Sequence, residues 1–171
     1  MATTSLQGNT CNTNASLPEI GSDAPRFTLL STKLKEKSLA DFGEHRKFIY
    51  TVPSLDTMVC ENTAKKLNEM AAEHDDVDFL VVSADLVFAQ QRFCKHNKLK
   101  NVTTLSMMRS RSFAEDYGVL LVNGPLAGLS ARAVFVLDGD NKILHFELVS
   151  DIANEPDFES AFHALTNAAN S

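Results

Sequence analysis

Arg46-Lys-Phe-Ile-Tyr-Thr-Val52 runs straight into Pro53-Ser-Leu-Asp-Thr57-Met-Val-Cys60, and this junction decides the fold. The apolar run reads as a buried strand, which Pro53 ends because proline has no amide hydrogen to continue a ladder. Beyond the proline, Val59, Thr63, Leu67 and Met70 recur at spacings of three and four, predicting a helix from about Thr57 to His74 with one face on a core. A buried strand that passes directly into a long helix opens a βαβ unit.

The rest of the chain continues the alternation. Asp78 to Ser83 (DFLVVS) predicts a second buried strand, Ala84 to His96 a second amphipathic helix, Val102 to Ser106 a third strand and Ser112 to Tyr117 a short helix. Ala131 to Leu137 and Lys142 to Val149 flank Asp138-Gly-Asp-Asn141, a turn signal that makes those two strands antiparallel neighbours. A last helix has Pro156 in its first turn and Phe158, Phe162 and Leu165 on its inner face, ahead of the polar tail Asn167 to Ser171. Upstream, Phe27 to Leu30 is a short extended piece, and Gly8-Asn9 supplies a turn between paired strands within Thr3 to Ala15. The expected architecture is α/β and thioredoxin-like: a mixed central sheet flanked by helices, with an N-terminal β-hairpin. Residues 1–171 make one domain in this reading, with 1–17 as an N-terminal extension.

The chain of 171 residues, 44% of them hydrophobic, is long enough for one core. Its net charge of −6 is scattered, which argues against a phosphate-tracking surface for nucleic acid. No apolar run approaches the ~18 residues that span a bilayer, and the opening MATTSLQGNTCNTNAS lacks the basic start and apolar stretch of a secretory signal, so the expected location is cytoplasmic. The five histidines and three cysteines form no CxxC, HxxH or HExxH pattern, so no metal site is expected. In a reducing compartment, a disulfide between any of Cys11, Cys60 and Cys94 would be catalytic rather than structural.

Placement makes Cys60 the first candidate. Unpaired amides and the macrodipole at a helix N-terminus favour an anion, and a thiol pKa falling from about 8.5 to about 6 would make it about 90% thiolate at pH 7. Thr57, one turn earlier, brings a hydroxyl to the same face, although it or Asp56 could equally serve as the helix cap. Acidity alone gains about thirtyfold in reactive thiolate, so fast attack on any substrate also needs fixed donors, including a cation, for the charge on the departing atom.

PSLDTMVC resembles the P-x-x-x-T-x-x-C active-site motif of peroxiredoxins, in the D-T-x-V-C form of bacterial thiol peroxidases. SADLVFAQQRFC (Ser83 to Cys94), TLSMMRSRSFAEDYGV (Thr104 to Val119), NGPLAGLSARAVFVLD (Asn123 to Asp138) and NEPDFESAF (Asn154 to Phe162) are similar to the same family in order and spacing. The resemblance, to the atypical two-cysteine type, implies that Cys60 is the peroxidatic cysteine and Thr57 the hydroxyl that bonds thiolate and peroxide. It further implies that Pro53 shields the pocket, Arg132 completes it and Cys94 is the resolving cysteine. The implied reaction reduces alkyl hydroperoxides and hydrogen peroxide through a Cys60 sulfenic acid and an intramolecular Cys60–Cys94 disulfide, recycled by thioredoxin, and needs no metal or organic cofactor. A homodimer paired through the face around the active site is also implied.

Read without the family, Cys94 is equally an ordinary helix residue, Arg92 and Arg109 either shape the site or lie on the surface, and Cys11 is an incidental thiol. Two departures from the family pattern bear on the pocket. Met58 stands where a small residue is common and is expected to reshape it, and Tyr50-Thr51-Val52 replaces an N-I-F type of run. Two alternatives remain: a one-cysteine peroxidase resolved by an external thiol, and a peroxide-sensing relay that passes oxidation to a partner.

Overall fold

The computed structural model describes residues 1–169, so the last two residues of the polar tail lie outside the described residues. An antiparallel hairpin of β1 (Thr3–Leu6) and β2 (Asn9–Asn12) stands apart from the main sheet. Its turn is Gln7-Gly8 rather than Gly8-Asn9, and both turn residues have positive φ, as the tightest hairpins require.

The main sheet has seven strands in the order β4-β3-β7-β6-β5-β8-β9. β5 (Arg46–Thr51), β6 (Val77–Ser83) and β7 (Thr103–Ser106) are parallel neighbours. β8 (Ala133–Leu137) runs antiparallel to β5, and β9 (Ile143–Leu148) antiparallel to β8. β3 (Leu29–Ser31) runs antiparallel to β7 and pairs with β4 (Glu36–Lys37). The helices are α1 (Met58–Ala72), α2 (Val87–His96), α3 (Ser112–Asp116) and α4 (Phe158–Ala169), with a 3-10 turn over Leu39–Phe42. The mixed sheet and the hairpin agree with expectation, whereas β4 and the 3-10 turn carry no apolar pattern and were not anticipated. Two boundaries move. α2 begins at Val87 because Ser83 and Asp85 are engaged in the loop before it, and Pro156 precedes α4 instead of lying in its first turn. α4 also absorbs the first part of the tail.

Strand alternation separates two cores. Ile49, Leu80, Val82, Ala133, Phe135 and Leu137 face α3 and the N-terminal segment. Phe48, Tyr50, Val52, Phe79, Val81, Val134 and Val136 face α1 and α4, where Cys60, Ala64, Leu67, Ala161 and Leu165 meet them. Since β5, β6 and β7 are parallel, α1, α2 and the loop before α3 all start at the same edge of the sheet, where side chains from separate loops converge. No helix among the described residues is long and apolar enough to cross a membrane.

Gly118, just past α3, has φ +71°, and a Cβ there would lie 2.3 Å from the carbonyl oxygen of Ser16. Gly118→Ala is expected to lower the free energy of unfolding by about 2 kcal/mol or more in urea titrations, because left-handed strain and a backbone collision add. An unchanged midpoint would show that the segment around Ser16 is not clamped there.

Candidate active site

β5 ends at Thr51, and after Pro53 the chain turns into α1 with Thr57 at the N-cap. Thr57 has extended geometry there, but its hydroxyl does not cap the helix. It donates to Cys60 Sγ at 2.7 Å, with the Ser54 carbonyl a more distant 3.4 Å away. Thr57 thus holds the cap position with its backbone while its hydroxyl serves the sulfur. The three-residue spacing puts both side chains on one face of the first turn, and Cys60 is fully buried.

The second donor comes from across the sheet. Arg132 immediately precedes β8 and shares the parity of Val134 and Val136, so its side chain enters the α1 side of the sheet. It is 1% exposed, the largest fully buried side chain among the described residues. Its Nη1 donates to Cys60 Sγ at 3.1 Å and to the Tyr50 hydroxyl at 2.5 Å, and its Nε donates to the Ile152 carbonyl at 2.8 Å. Burial works against the charge on Arg132, but the proximity of Tyr50 and Cys60 and the hydrogen bonds to both hold its pKa above the ordinary value. Among the described residues no carboxylate forms an ion pair with it. A thiolate at this position would supply the counter-charge that a buried cation otherwise lacks, since burying an unpaired charge is costly.

Tyr50 is fully buried, and burial first of all pushes its pKa up to about 12, with Arg132 acting in the opposite direction. Its hydroxyl lies 3.2 Å from Thr63 Oγ1, which in turn donates to the Val59 carbonyl at 2.9 Å. The loop carrying Thr57 is tied to the next βα loop by Asp85, whose carboxylate accepts from Ser54 Oγ at 2.7 Å, the Leu55 amide at 2.8 Å and Ser83 Oγ at 2.7 Å. Ser130 Oγ donates to the Val52 carbonyl and Thr51 Oγ1 to the Ala131 carbonyl, both at 2.8 Å, locking the segment before Arg132 against the end of β5. Sequence reasoning passed over Tyr50, Thr63, Ser54 and Asp85 as site residues. Tyr50 left a signal in its departure from the family run, and Asp85 in following a strand end, but the Ile152 carbonyl left none.

Pro53 is buried at the junction. Met58 is 88% exposed, its side chain turned towards solvent. It lies two residues from Cys60, about 200° around the helix, and so lines an outer groove of about 330 Å³ with Thr57, Ala89, Arg92 and Phe93. Arg109 lies away from Cys60, in an exposed pair with Glu36 at 3.4 Å.

Cys94 belongs to the same apolar cluster as Cys60, but it is not bonded to it. Its sulfur lies 3.8 Å from Thr104 Oγ1 and borders a different cavity, with Ser31, Lys95 and Lys98. Burial raises the Cys94 pKa, with the Thr104 hydroxyl opposing. The neighbouring Phe93, not Cys94, faces the groove beside Thr57. Cys11 is fully buried in β2, beneath Gly124. No group of three or more metal-ligating side chains occurs among the described residues.

A thiol under a hydroxyl and a guanidinium at the start of α1, on a thioredoxin-like sheet, defines a class. The chain belongs to the redoxin family, whose profile matches residues 19–165. Its place there is among the peroxiredoxin-type thiol peroxidases: a thiol peroxidase from Corynebacterium glutamicum is 41% identical over 165 residues, covering 96% of this chain and 99% of that protein. A peroxiredoxin-like protein from Aquifex aeolicus superposes with a TM-score of 0.92 at 38% identity, covering 98% of both chains. A thiol peroxidase from Chromobacterium violaceum shares the fold, with a TM-score of 0.89 at 21% identity over 98% of this chain and 97% of that one.

Thr57→Val removes the shorter of the two donors to sulfur, and the reaction of reduced protein with hydroperoxide is expected to slow by about a hundredfold. Thr57→Ser keeps the hydroxyl and should stay within about threefold of wild type in the same stopped-flow assay. Equal losses in both variants would mean that the threonine acts through packing.

Proposed function

We propose that this protein is a two-cysteine peroxidase that reduces alkyl hydroperoxides and hydrogen peroxide at Cys60 and closes its cycle through an intramolecular Cys60–Cys94 disulfide opened by thioredoxin. One observation carries the reading: Cys60 Sγ is fully buried beneath Thr57 Oγ1 and Arg132 Nη1, the latter part of a buried cation without a carboxylate partner among the described residues. These are the donors that a thiolate and a peroxide need, and Pro53 shields them at the junction.

In the proposed cycle the Cys60 thiolate attacks the near peroxide oxygen, an S–O bond forms and the O–O bond breaks. The electron pair goes to the departing oxygen, which takes a proton and leaves as alcohol or water. Cys94, as thiolate, then attacks the sulfenic sulfur: an S–S bond forms, the S–O bond breaks and water is released after protonation. The dithiol of thioredoxin reduces the disulfide and is itself oxidised. Because Cys94 faces Thr104 and another cavity, closing the bond requires the first turn of α1 and the end of α2 to unwind. The same placement of Cys94 favours, as a second reading, a one-cysteine cycle with an external resolving thiol.

Mass spectrometry after one equivalent of peroxide is expected to find a Cys60–Cys94 bond within one chain, and Cys94→Ser to abolish turnover with thioredoxin. Sustained turnover of Cys94→Ser would establish the one-cysteine cycle instead. As burial holds Cys94 protonated near neutral pH, disulfide formation should accelerate as pH rises from 7 towards its raised pKa, while a flat profile would place the slow step in unwinding.

The proposed assembly is a homodimer, in the cytoplasm. Met58, Leu86, Phe88 and Met108 are all exposed, and all follow the C-terminal ends of β5, β6 or β7, the sheet edge that carries the site. Phe88→Asp is expected to shift sedimentation from dimer to monomer, and a wild-type monomer at micromolar concentration would rule the assembly out.

A further inference from the structure

The geometry points to Tyr50 as the positioning residue that aims Arg132 at Cys60 and the bound hydroperoxide, an inference that rests on the peroxidatic reading of Cys60. A guanidinium has donors only, so in the 2.5 Å contact with Arg132 Nη1 the phenol oxygen is the acceptor. Its own proton then has one neighbour to go to, Thr63 Oγ1 at 3.2 Å, and the Thr63 hydroxyl in turn has the Val59 carbonyl at 2.9 Å and the Cys60 carbonyl at 3.2 Å as acceptors. The chain of donors therefore runs from Arg132 through Tyr50 and Thr63 into the backbone of the first turn of α1, at Val59 and Cys60.

That direction assigns the role. The phenol proton points away from the sulfur, so Tyr50 is not an acid for the departing oxygen. Its raised pKa keeps it neutral, so it offers Arg132 an acceptor without a second anion competing with the thiolate. Two acceptors on different elements, Tyr50 on β5 and the Ile152 carbonyl beyond β9, hold the guanidinium at Nη1 and Nε. The remaining Nη1 hydrogen meets Cys60 Sγ, and Nη2, which has no protein acceptor among the described residues, is free to meet the departing oxygen. Phe158 packs edge-on against the Tyr50 ring at 5.7 Å between centroids, fixing the ring that carries the hydroxyl.

The test is Tyr50→Phe, which keeps the ring and removes only the acceptor. Reduced wild-type and variant proteins are mixed with cumene hydroperoxide from pH 5 to 8. The expected result is a plateau rate lower by about tenfold, the loss of one charge-assisted hydrogen bond, with the half-plateau pH moved upward and the KM for thioredoxin unchanged. A variant with wild-type plateau and profile, whatever its melting temperature, overturns the proposal. Thr63 supplies an independent pair should Tyr50→Phe not fold. Thr63→Ser keeps the acceptor for the phenol proton and should behave as wild type, while Thr63→Val should move rate and profile in the same direction as Tyr50→Phe but less. Indistinguishable Thr63 variants also overturn the proposal. A wild-type protein that reacts no faster than free cysteine would instead defeat the peroxidatic reading, before any variant is made.

Discussion

A buried positive charge organises this molecule. Arg132 cannot shed its proton and is almost wholly withdrawn from water, so every donor it keeps inside the protein needs an acceptor. The acceptors come from three places distant in sequence: the Tyr50 hydroxyl on β5, the sulfur of Cys60 on α1 and the Ile152 carbonyl beyond β9. Holding those three around one guanidinium requires β5 and β8 to be neighbours in register, α1 to start where β5 ends, and the chain beyond β9 to return over the sheet edge. The site and the fold therefore impose the same demands.

The N-terminal hairpin takes part in this arrangement. Ser5 and the 150–152 segment exchange backbone hydrogen bonds, the Ile152 amide donating to the Ser5 carbonyl at 2.8 Å, while the Asp151 carboxylate accepts from the amides of Gln7 and Gly8. The amides of Ala153 and Gly8 hold the Asp151 carboxyl well below the usual carboxylate range. A hairpin that joins no strand of the main sheet thus steadies the segment whose carbonyl receives Arg132 Nε.

Cys60 and Cys94 sit in one core but on separate helices. The first turn of α1 is tied down through Thr57, Asp85 and the Tyr50–Thr63 chain. Cys94, on α2, packs into the same apolar cluster while its sulfur lies 3.8 Å from Thr104 Oγ1, so the two thiols share a core and face different partners.

Sequence by itself determined the order of strands and helices from β5 onward, the two-faced sheet, the presence of the two hairpins and Cys60 at a helix start with Thr57 beside it. Those features depend on near neighbours along the chain: alternation, three- and four-residue spacing, and turn residues. Resemblance extended the reading to Arg132, Pro53 and Cys94 as names at positions. Tertiary structure alone decided that Arg132 is buried without a carboxylate partner among the described residues, that Tyr50 receives its second hydrogen bond, and that Asp85 ties two βα loops together. It also placed Cys94 towards Thr104, and turned Met58 out to solvent. Each of these is a contact between residues tens of positions apart, or a direction around a helix fixed by packing, and no local pattern encodes which distant acceptor a buried donor will meet.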